Sequence, residues 1–284
     1  MPTAGETRTA ARWPGNARPA AARGAWTLVL GNGPVVALAL HHGHELRPAA
    51  ARRMALGEAE RLREEDPGTA AWTWLAPTHV VVHRSRFEVD LNRPSEGAVY
   101  RTPEEAWGLE VWKGGPGESL VREGQAVHRA FYATLESLLR RLTAEHGRFV
   151  VYDLHSYNHR RGGPGLDADD PGGNPDVNLG TGSMDRERWG EVADAFLDSL
   201  SASHILDSAL GRHPDVRENV RFGGGYLSRW VHGTFPLAGC ALAVEVKKFF
   251  MDEWTGAVDE ARLAAVGGAL AGTVAPVLDA LARS

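Results

Sequence analysis

The sequence has very little cysteine and no excess of positive charge. Its single cysteine, Cys240, excludes a disulfide framework and any metal site built from several cysteines. Lys and Arg total 31 against 36 Asp and Glu, so the net charge is −5 and the basic stripe of a nucleic-acid-binding protein is missing. No continuous apolar run approaches the roughly 20 residues that a membrane-spanning helix needs. We therefore expect a globular protein that binds neither nucleic acid nor a membrane.

The first 24 residues lack the apolar stretch of an export signal. They read MPTAGETRTAARWPGNARPAAARG, and this Ala-, Pro-, Gly- and Thr-rich composition predicts a flexible lead-in. Together with the lone cysteine, the segment indicates a cytoplasmic protein. Residues 25–284 show no linker or internal repeat and are expected to form one domain, whose oligomeric state the sequence leaves open.

The rest of the chain alternates between strand and helix patterns. Short apolar runs predict strands at 26–30, 35–40, 79–82, 149–154 and 241–246. Amphipathic or helix-forming segments predict helices at 48–63, 125–146, 185–201 and 258–283. This alternation predicts a single α/β domain with a mixed, mostly parallel sheet and helices on both faces.

Imidazole and carboxylate side chains lie at the ends of three predicted strands. The segment His41-His42-Gly43-His44-Glu45 follows the second strand, His155 follows the fourth, and Glu245 lies near the end of the fifth. Ligands of open α/β sheets bind beyond the carboxyl ends of the strands. Three nitrogen or oxygen ligands with an open fourth position are typical of catalytic zinc. His42 and Glu45 form an H-x-x-E pair, His155 is the candidate third ligand, and Glu245 remains as a general base.

Each of these residues also has a purely structural interpretation. The His/Glu segment is equally consistent with a solvated loop, and His155 with a side chain that hydrogen-bonds a loop. Glu245 lies two residues before Lys247, on the same face of its strand, so the two side chains could form an ion pair. A metal site is favoured by the occurrence of all three groups at one sheet edge.

A second polar group lies between Ser85 and Pro94. Arg86 and Arg93 carry planar guanidinium groups that suit a carboxylate or a developing oxyanion, and Asn92 adds an amide donor. The alternative is that both arginines belong to a charged surface loop.

Together these motifs resemble the N-formylglutamate amidohydrolase family, a group of zinc-carboxypeptidase-like hydrolases related to the aspartoacylases. The resemblance spans roughly residues 35 to 256 and keeps the family's motif order. The matching segments are 42–45, 85–94, 153–156, 175–181, 222–227 and 245–253.

The resemblance implies a zinc-dependent amidohydrolase that cleaves the amide of an N-formyl or N-acyl amino acid. For N-formyl-L-glutamate the products would be formate and glutamate. It implies that one Zn²⁺ per chain is held by His42, Glu45 and His155. Glu245 would be the general base and then the proton donor, and Arg86 would polarise the scissile carbonyl. The implied substrate-binding residues are Asn92, Arg93, Gly224, Gly225 and Tyr226.

Several alternatives stay open. Family members often begin the first motif with H-S-G, and that alignment would make His41 the first ligand instead of His42. Lys247 and Lys248 stand where the family tends to have Asn and Arg, and the loop at 160–173 is either a lid or a mobile Gly/Asp segment. The same site would also suit a zinc carboxypeptidase or peptide amidase, and a member that binds a ligand without catalysis is the third possibility.

Overall fold

The computed structural model describes residues 24–284, so the lead-in predicted at 1–24 lies, apart from Gly24, outside the described residues. The strands of the described chain are β1 Trp26–Val29, β2 Val35–Ala39, β3 Thr78–Val82, β4 Phe149–Tyr157, β5 Val177–Gly180, β6 Val216–Glu218 and β7 Gly239–Lys247. Its α-helices are α1 Pro48–Arg53, α2 Glu58–Glu64, α3 Glu118–His146, α4 Arg186–Ser201, α5 His204–Leu210, α6 Tyr226–Thr234, α7 Glu260–Gly272 and α8 Val274–Arg283.

All seven strands belong to one sheet, in the order β1-β3-β2-β4-β7-β5-β6. Strand β2 runs parallel to β3 and β4, β4 runs parallel to β7, and β5 runs parallel to β6. The pairs β1–β3 and β5–β7 are antiparallel. The predicted single α/β domain with a mixed, mostly parallel sheet is therefore confirmed.

Helices cover both faces of the sheet because the central strands are apolar on both sides. Along β4, Val150, Tyr152 and Leu154 pack into a core that includes α4, α7 and α8. The alternating residues Phe149 and Val151 pack on the other face, against α3 and α6. This two-sided burial is typical of strands that read as continuous hydrophobic runs.

The structure changes several predicted boundaries. The helix predicted at 48–63 is interrupted, since Met54 and Gly57 have extended backbones that separate α1 from α2. Strand β4 continues to Tyr157, because its last residues still pair with β7. His155 therefore lies inside a strand. The short elements β5, β6, α5 and α6 carry too few residues for a clear sequence pattern.

The C-terminal segment Glu260–Arg283, which contains α7 and α8, is long and apolar enough to cross a membrane by length and composition alone. No other segment of residues 24–284 meets that test. Leu263, Val266, Leu270 and Val277 are buried in the core on one face of the sheet. About 39% of the segment's apolar window is buried inside the structure, so core packing accounts for part of its apolar composition.

Candidate active site

A cavity of about 480 Å³ lies at the carboxyl ends of β2, β4 and β7. The predicted site residues that line it are Arg86, Asn92, Arg93, His155, Gly224, Gly225 and Glu245. His42, Glu45 and Tyr226 are not among its lining residues, whereas His41 and Asp66 are. The cavity therefore collects most of the predicted residues and changes the set of metal-ligand candidates.

Three buried side chains meet at the base of this cavity. Potential ligand atoms of His41, Asp66 and His155 all lie within 4.8 Å of one another. Oδ2 of Asp66 is 3.5 Å from Nδ1 of His41 and 2.9 Å from Nδ1 of His155. Both rings thus direct Nδ1 toward one carboxylate oxygen. Two imidazole nitrogens and a carboxylate oxygen form a donor set that binds zinc in many proteins.

A carboxylate oxygen also lies close to the far nitrogen of each ring. Nε2 of His41 is 2.7 Å from Oδ1 of Asp90, and Nε2 of His155 is 2.8 Å from Oδ1 of Asp153. Asp90 and Asp153 are fully buried. A carboxylate on the remote nitrogen fixes the ring orientation and makes the other nitrogen a stronger ligand. His41, Asp66 and His155 therefore fit a divalent metal ion in both chemistry and support.

The surrounding charges shift the pKa values of this group. Burial raises the pKa of Asp66, but hydrogen bonds with His155 and His41 outweigh burial and hold the pKa well below its usual range. Burial lowers the pKa of His155, whereas the carboxylates of Asp153 and Glu245 raise it, and the net pKa is well above the ordinary value. The buried carboxylates therefore give this cluster a negative electrostatic potential, which attracts a cation.

His42 and Glu45, the predicted H-x-x-E pair, lie outside this group of three. Burial and the neighbouring His83 lower the pKa of His42 to about 4. Glu45 forms a backbone bridge with Arg84, which extends the pairing between β2 and β3. The chain bends at Leu40 and His41, beyond the end of β2, and of these two neighbouring histidines His41 lines the cavity whereas His42 does not. The cluster contains His41, the alternative first ligand.

Asp66 is the site residue that the sequence reading missed. It follows α2 in the sequence Glu64-Glu65-Asp66-Pro67, which resembles the exposed end of a helix. In the structure Glu65 and Asp66 are both buried. The acidic run before Pro67 is the only signal in the sequence, and it does not reveal burial.

Lys248 holds the segment that carries Asp66. Its Nζ donates to the carbonyl oxygens of Arg63 and Glu65 at 2.6 and 2.7 Å, and to Oδ1 of Asn158 at 2.9 Å. Each of the three ammonium protons therefore has a hydrogen-bond acceptor. Burial nevertheless lowers the pKa of this ammonium group to about 8. A lysine that binds the last carbonyls of a helix stabilises that helix end, which in α2 fixes the position of Asp66.

Glu245 lies beside the histidine cluster. It is in register with His155 across the parallel pair β4–β7, so both side chains emerge on the same face of the sheet. Burial raises the pKa of Glu245 to about 8; His155 opposes this shift, and Asp66 and Asp153 add to it. Lys247 forms an ion pair with Asp176 at 2.7 Å. The structural interpretation of Glu245 as a partner of Lys247 is therefore not realised.

Arg86 and Arg93 are held in place at one side of the cavity. Nη2 of Arg86 donates to Oδ2 of Asp90 at 2.9 Å, and its guanidinium stacks on Trp107, 4.8 Å from the ring centroid. Nη2 of Arg93 donates to the carbonyl of Glu105 at 2.8 Å. These contacts keep fixed positive charge next to the cluster.

Asn92 joins this side to the glycine loop before α6. Its Oδ1 accepts a hydrogen bond from the amide of Leu227 at 2.9 Å, and its Nδ2 lies 3.2 Å from Nε2 of His155. A Cβ on Gly225 would collide with the Asn92 amide group, so only glycine permits this approach. Gly224, with φ of +101°, also needs glycine. Tyr226 packs against His128 and Tyr132.

The chain is similar to known N-formylglutamate hydrolases in sequence and in fold. The sequence pattern of the N-formylglutamate amidohydrolase family matches residues 33–249. The N-formylglutamate deformylase of Pseudomonas aeruginosa is 31% identical over 171 residues, which cover 55% of this chain. The matched region spans only 57% of that relative's length.

Two solved structures share the fold. The N-formylglutamate amidohydrolase of Ralstonia eutropha superposes with a TM-score of 0.67 at 18% identity, covering 90% of this chain and 96% of that one. A gene product of Agrobacterium tumefaciens superposes with a TM-score of 0.64 at 17% identity, covering 91% and 96%. Since the family pattern covers most of the residues, including the cavity, the chain belongs to the N-formylglutamate amidohydrolase family.

Proposed function

We propose that this protein is a metal-dependent amidohydrolase that converts N-formyl-L-glutamate and water into formate and L-glutamate. The observation that carries the proposal is the convergence of His41, Asp66 and His155 beside Glu245 in one cavity. Family membership favours the formyl group and the glutamate moiety as the substrate.

The metal ion in this proposal is one Zn²⁺ per chain, held by His41, Asp66 and His155. Such an ion would supply a Lewis acid that polarises the formyl carbonyl and lowers the pKa of water. Support comes from the two Nδ1 atoms that face Oδ2 of Asp66, and from the buried carboxylates on both Nε2 atoms.

Glu245 is the proton carrier in the proposed reaction. Its carboxylate takes a proton from the water that attacks the formyl carbon, and then delivers it to the nitrogen of glutamate as the C–N bond breaks. The formate retains the water oxygen. The position of Glu245 in register with His155, together with the burial that raises its pKa, supports a group that accepts a proton and then releases it.

Fixed cations complete the proposed site. Arg86 carries a guanidinium that remains charged at all working pH values, and it is positioned to stabilise negative charge on the formyl oxygen. Asn92 and Arg93 are proposed to bind the α-carboxylate of the substrate. The proposal is supported by their position in the cavity lining and by the contact between Asn92 and His155.

The first test is metal content by mass spectrometry, combined with release of formate from N-formyl-L-glutamate. We expect about one zinc per chain, loss of activity on chelation, and recovery when zinc is returned. Metal without formate release would overturn the substrate assignment. Cleavage of a C-terminal amino acid from a peptide under the same conditions would favour the carboxypeptidase alternative.

A further inference from the structure

The arginines of the cavity differ in how completely they are paired. Arg86 donates to Asp90 at 2.9 Å, and Nε of Arg93 lies 3.8 Å from the same carboxylate. Arg221 also lines the cavity, but within residues 24–284 it forms no ion pair; its buried Nε, like that of Arg86, has no hydrogen-bond partner. The guanidinium of Arg221 therefore has N–H donors that remain available to an anion in the cavity.

Arg221 is nevertheless held in a defined position. Oδ1 of Asn178 accepts hydrogen bonds from the backbone amides of Val220 and Arg221, at 2.9 and 2.8 Å. Asn178 is itself in register with Glu245 across the antiparallel pair β5–β7. The backbone of Arg221 is therefore tied, through one side chain, to the strand position opposite the proposed proton carrier.

Aromatic rings support the guanidinium. It lies 5.3 Å from the ring centroid of Tyr157 and 5.6 Å from that of Phe222. Stacking on aromatic faces restricts an arginine side chain while leaving its edge donors free for a planar anion. Pre-organised donors of this kind bind a carboxylate with little loss of side-chain entropy.

The arginines that line the cavity lie on opposite sides of the central strands of the sheet. Arg86 and Arg93 follow β3, whereas Arg221 follows β6, and the central strands β4 and β7 with His155 and Glu245 lie between them. An N-formyl amino acid with an acidic side chain has two carboxylates, which diverge from Cα on the amine side of the reacting amide. Two separated cationic groups match that charge pattern.

We propose that Arg221 binds the side-chain carboxylate of the substrate and selects acidic amino acids over their neutral isosteres. The inference rests on the proposed function and adds a specificity-determining residue to it. Arg161, an exposed arginine that also lines the cavity, is the competing candidate for the same role.

The test compares kcat/KM for N-formyl-L-glutamate and for its neutral isostere N-formyl-L-glutamine. We expect wild-type protein to prefer the glutamate compound. Arg221→Gln should lower kcat/KM for that substrate about 100-fold and change it for the glutamine compound by less than about threefold, because only the former loses a charged partner. Arg221→Lys keeps the charge without the planar fork and should retain part of the preference.

Two arginine variants serve as controls. Arg229→Gln removes an exposed arginine of α6 that is outside the cavity lining, and the preference should remain. Loss of the preference in Arg161→Gln but not in Arg221→Gln would overturn the assignment. An equal loss for both substrates in Arg221→Gln and in Arg221→Lys would reduce Arg221 to a structural role. Wild-type protein that releases formate from neither compound would overturn the proposed function and this assignment with it.

Discussion

The two ends of the cavity differ in how their charged side chains are paired. At the histidine end, both ring nitrogens of His41 and of His155 face buried carboxylates. At the arginine end, Arg221 forms no ion pair with any residue of the described range 24–284. A ring that lies between carboxylates is already oriented before any ligand arrives, whereas a cation without an ion pair gains one only when an anion binds. The contrast suggests a permanent metal centre at one end and an exchanging substrate at the other.

The largest effect should follow from removing a ligand at the histidine end. We expect His41→Ala and Asp66→Ala to weaken zinc binding on the order of 1,000-fold, because each removes one of few protein ligands. Competition with a chromophoric chelator measures the affinity. His42→Ala is the matched control and should bind zinc normally. Zinc loss in His42→Ala with retention in His41→Ala would instead indicate that the H-x-x-E pair, His42 and Glu45, binds the zinc.

The next effect concerns the residue between the two ends. Glu245→Gln keeps the shape of the side chain but cannot accept a proton, so kcat should fall by about 10²- to 10⁴-fold with zinc content unchanged. Steady-state kinetics and metal analysis on one preparation test both parts. Glu64→Gln, another cavity-lining glutamate, should retain activity. If zinc disappears from the Glu245 variant, Glu245 is a ligand instead of a base.

A smaller effect on zinc affinity is expected when the hydrogen bonds that position Asp66 are removed. Lys248→Met leaves the carbonyls of Arg63 and Glu65 without their buried donor, so Asp66 should lose its fixed position. Zinc affinity is expected to fall about 10- to 100-fold, the usual cost of removing a group that orients a ligand. Lys113→Met changes an exposed lysine and should leave affinity unchanged. Unchanged affinity in both variants would show that Asp66 is oriented without Lys248.

A further effect, on stability instead of on zinc binding or catalysis, concerns His232, a histidine whose hydrogen-bond partners are neutral. Nε2 of His232 accepts from the amide of Ala241 at 3.0 Å, and Nδ1 is 2.9 Å from Oγ of Ser183. Burial lowers the pKa of this ring from 6.5 to about 4, so the folded state favours the neutral form. The stabilisation is complete above pH 6.5 and is lost as the pH falls toward 4, by on the order of 2–3 kcal/mol.

Chemical denaturation at a series of pH values measures the contribution of His232. The free energy of unfolding of wild-type protein should decrease more steeply between pH 6.5 and 4 than that of His232→Gln, in which no imidazole titrates. Parallel pH profiles for the two proteins would contradict the assignment. A steeper decrease in wild-type protein supports a His232 ring that is neutral in the folded state.

Local pattern was sufficient for the architecture of this protein. The apolar runs at β2, β4 and β7 and the periodic segments of α3 and α4 are each long enough to specify an element, and their alternation specifies a mixed sheet with two covered faces. The position of His155 and Glu245 at one sheet edge follows from the same pattern, since parallel strands end together.

The sequence by itself therefore determined the fold class, the family resemblance and most of the cavity lining. Tertiary structure alone decided which of the two neighbouring histidines lines the cavity, because the chain bends after β2 and the alternation of a strand no longer predicts which way each side chain points. It also decided that Asp66 is buried against both rings and that Arg221 forms no ion pair within residues 24–284. Both depend on contacts between residues far apart in the chain, which local periodicity does not encode.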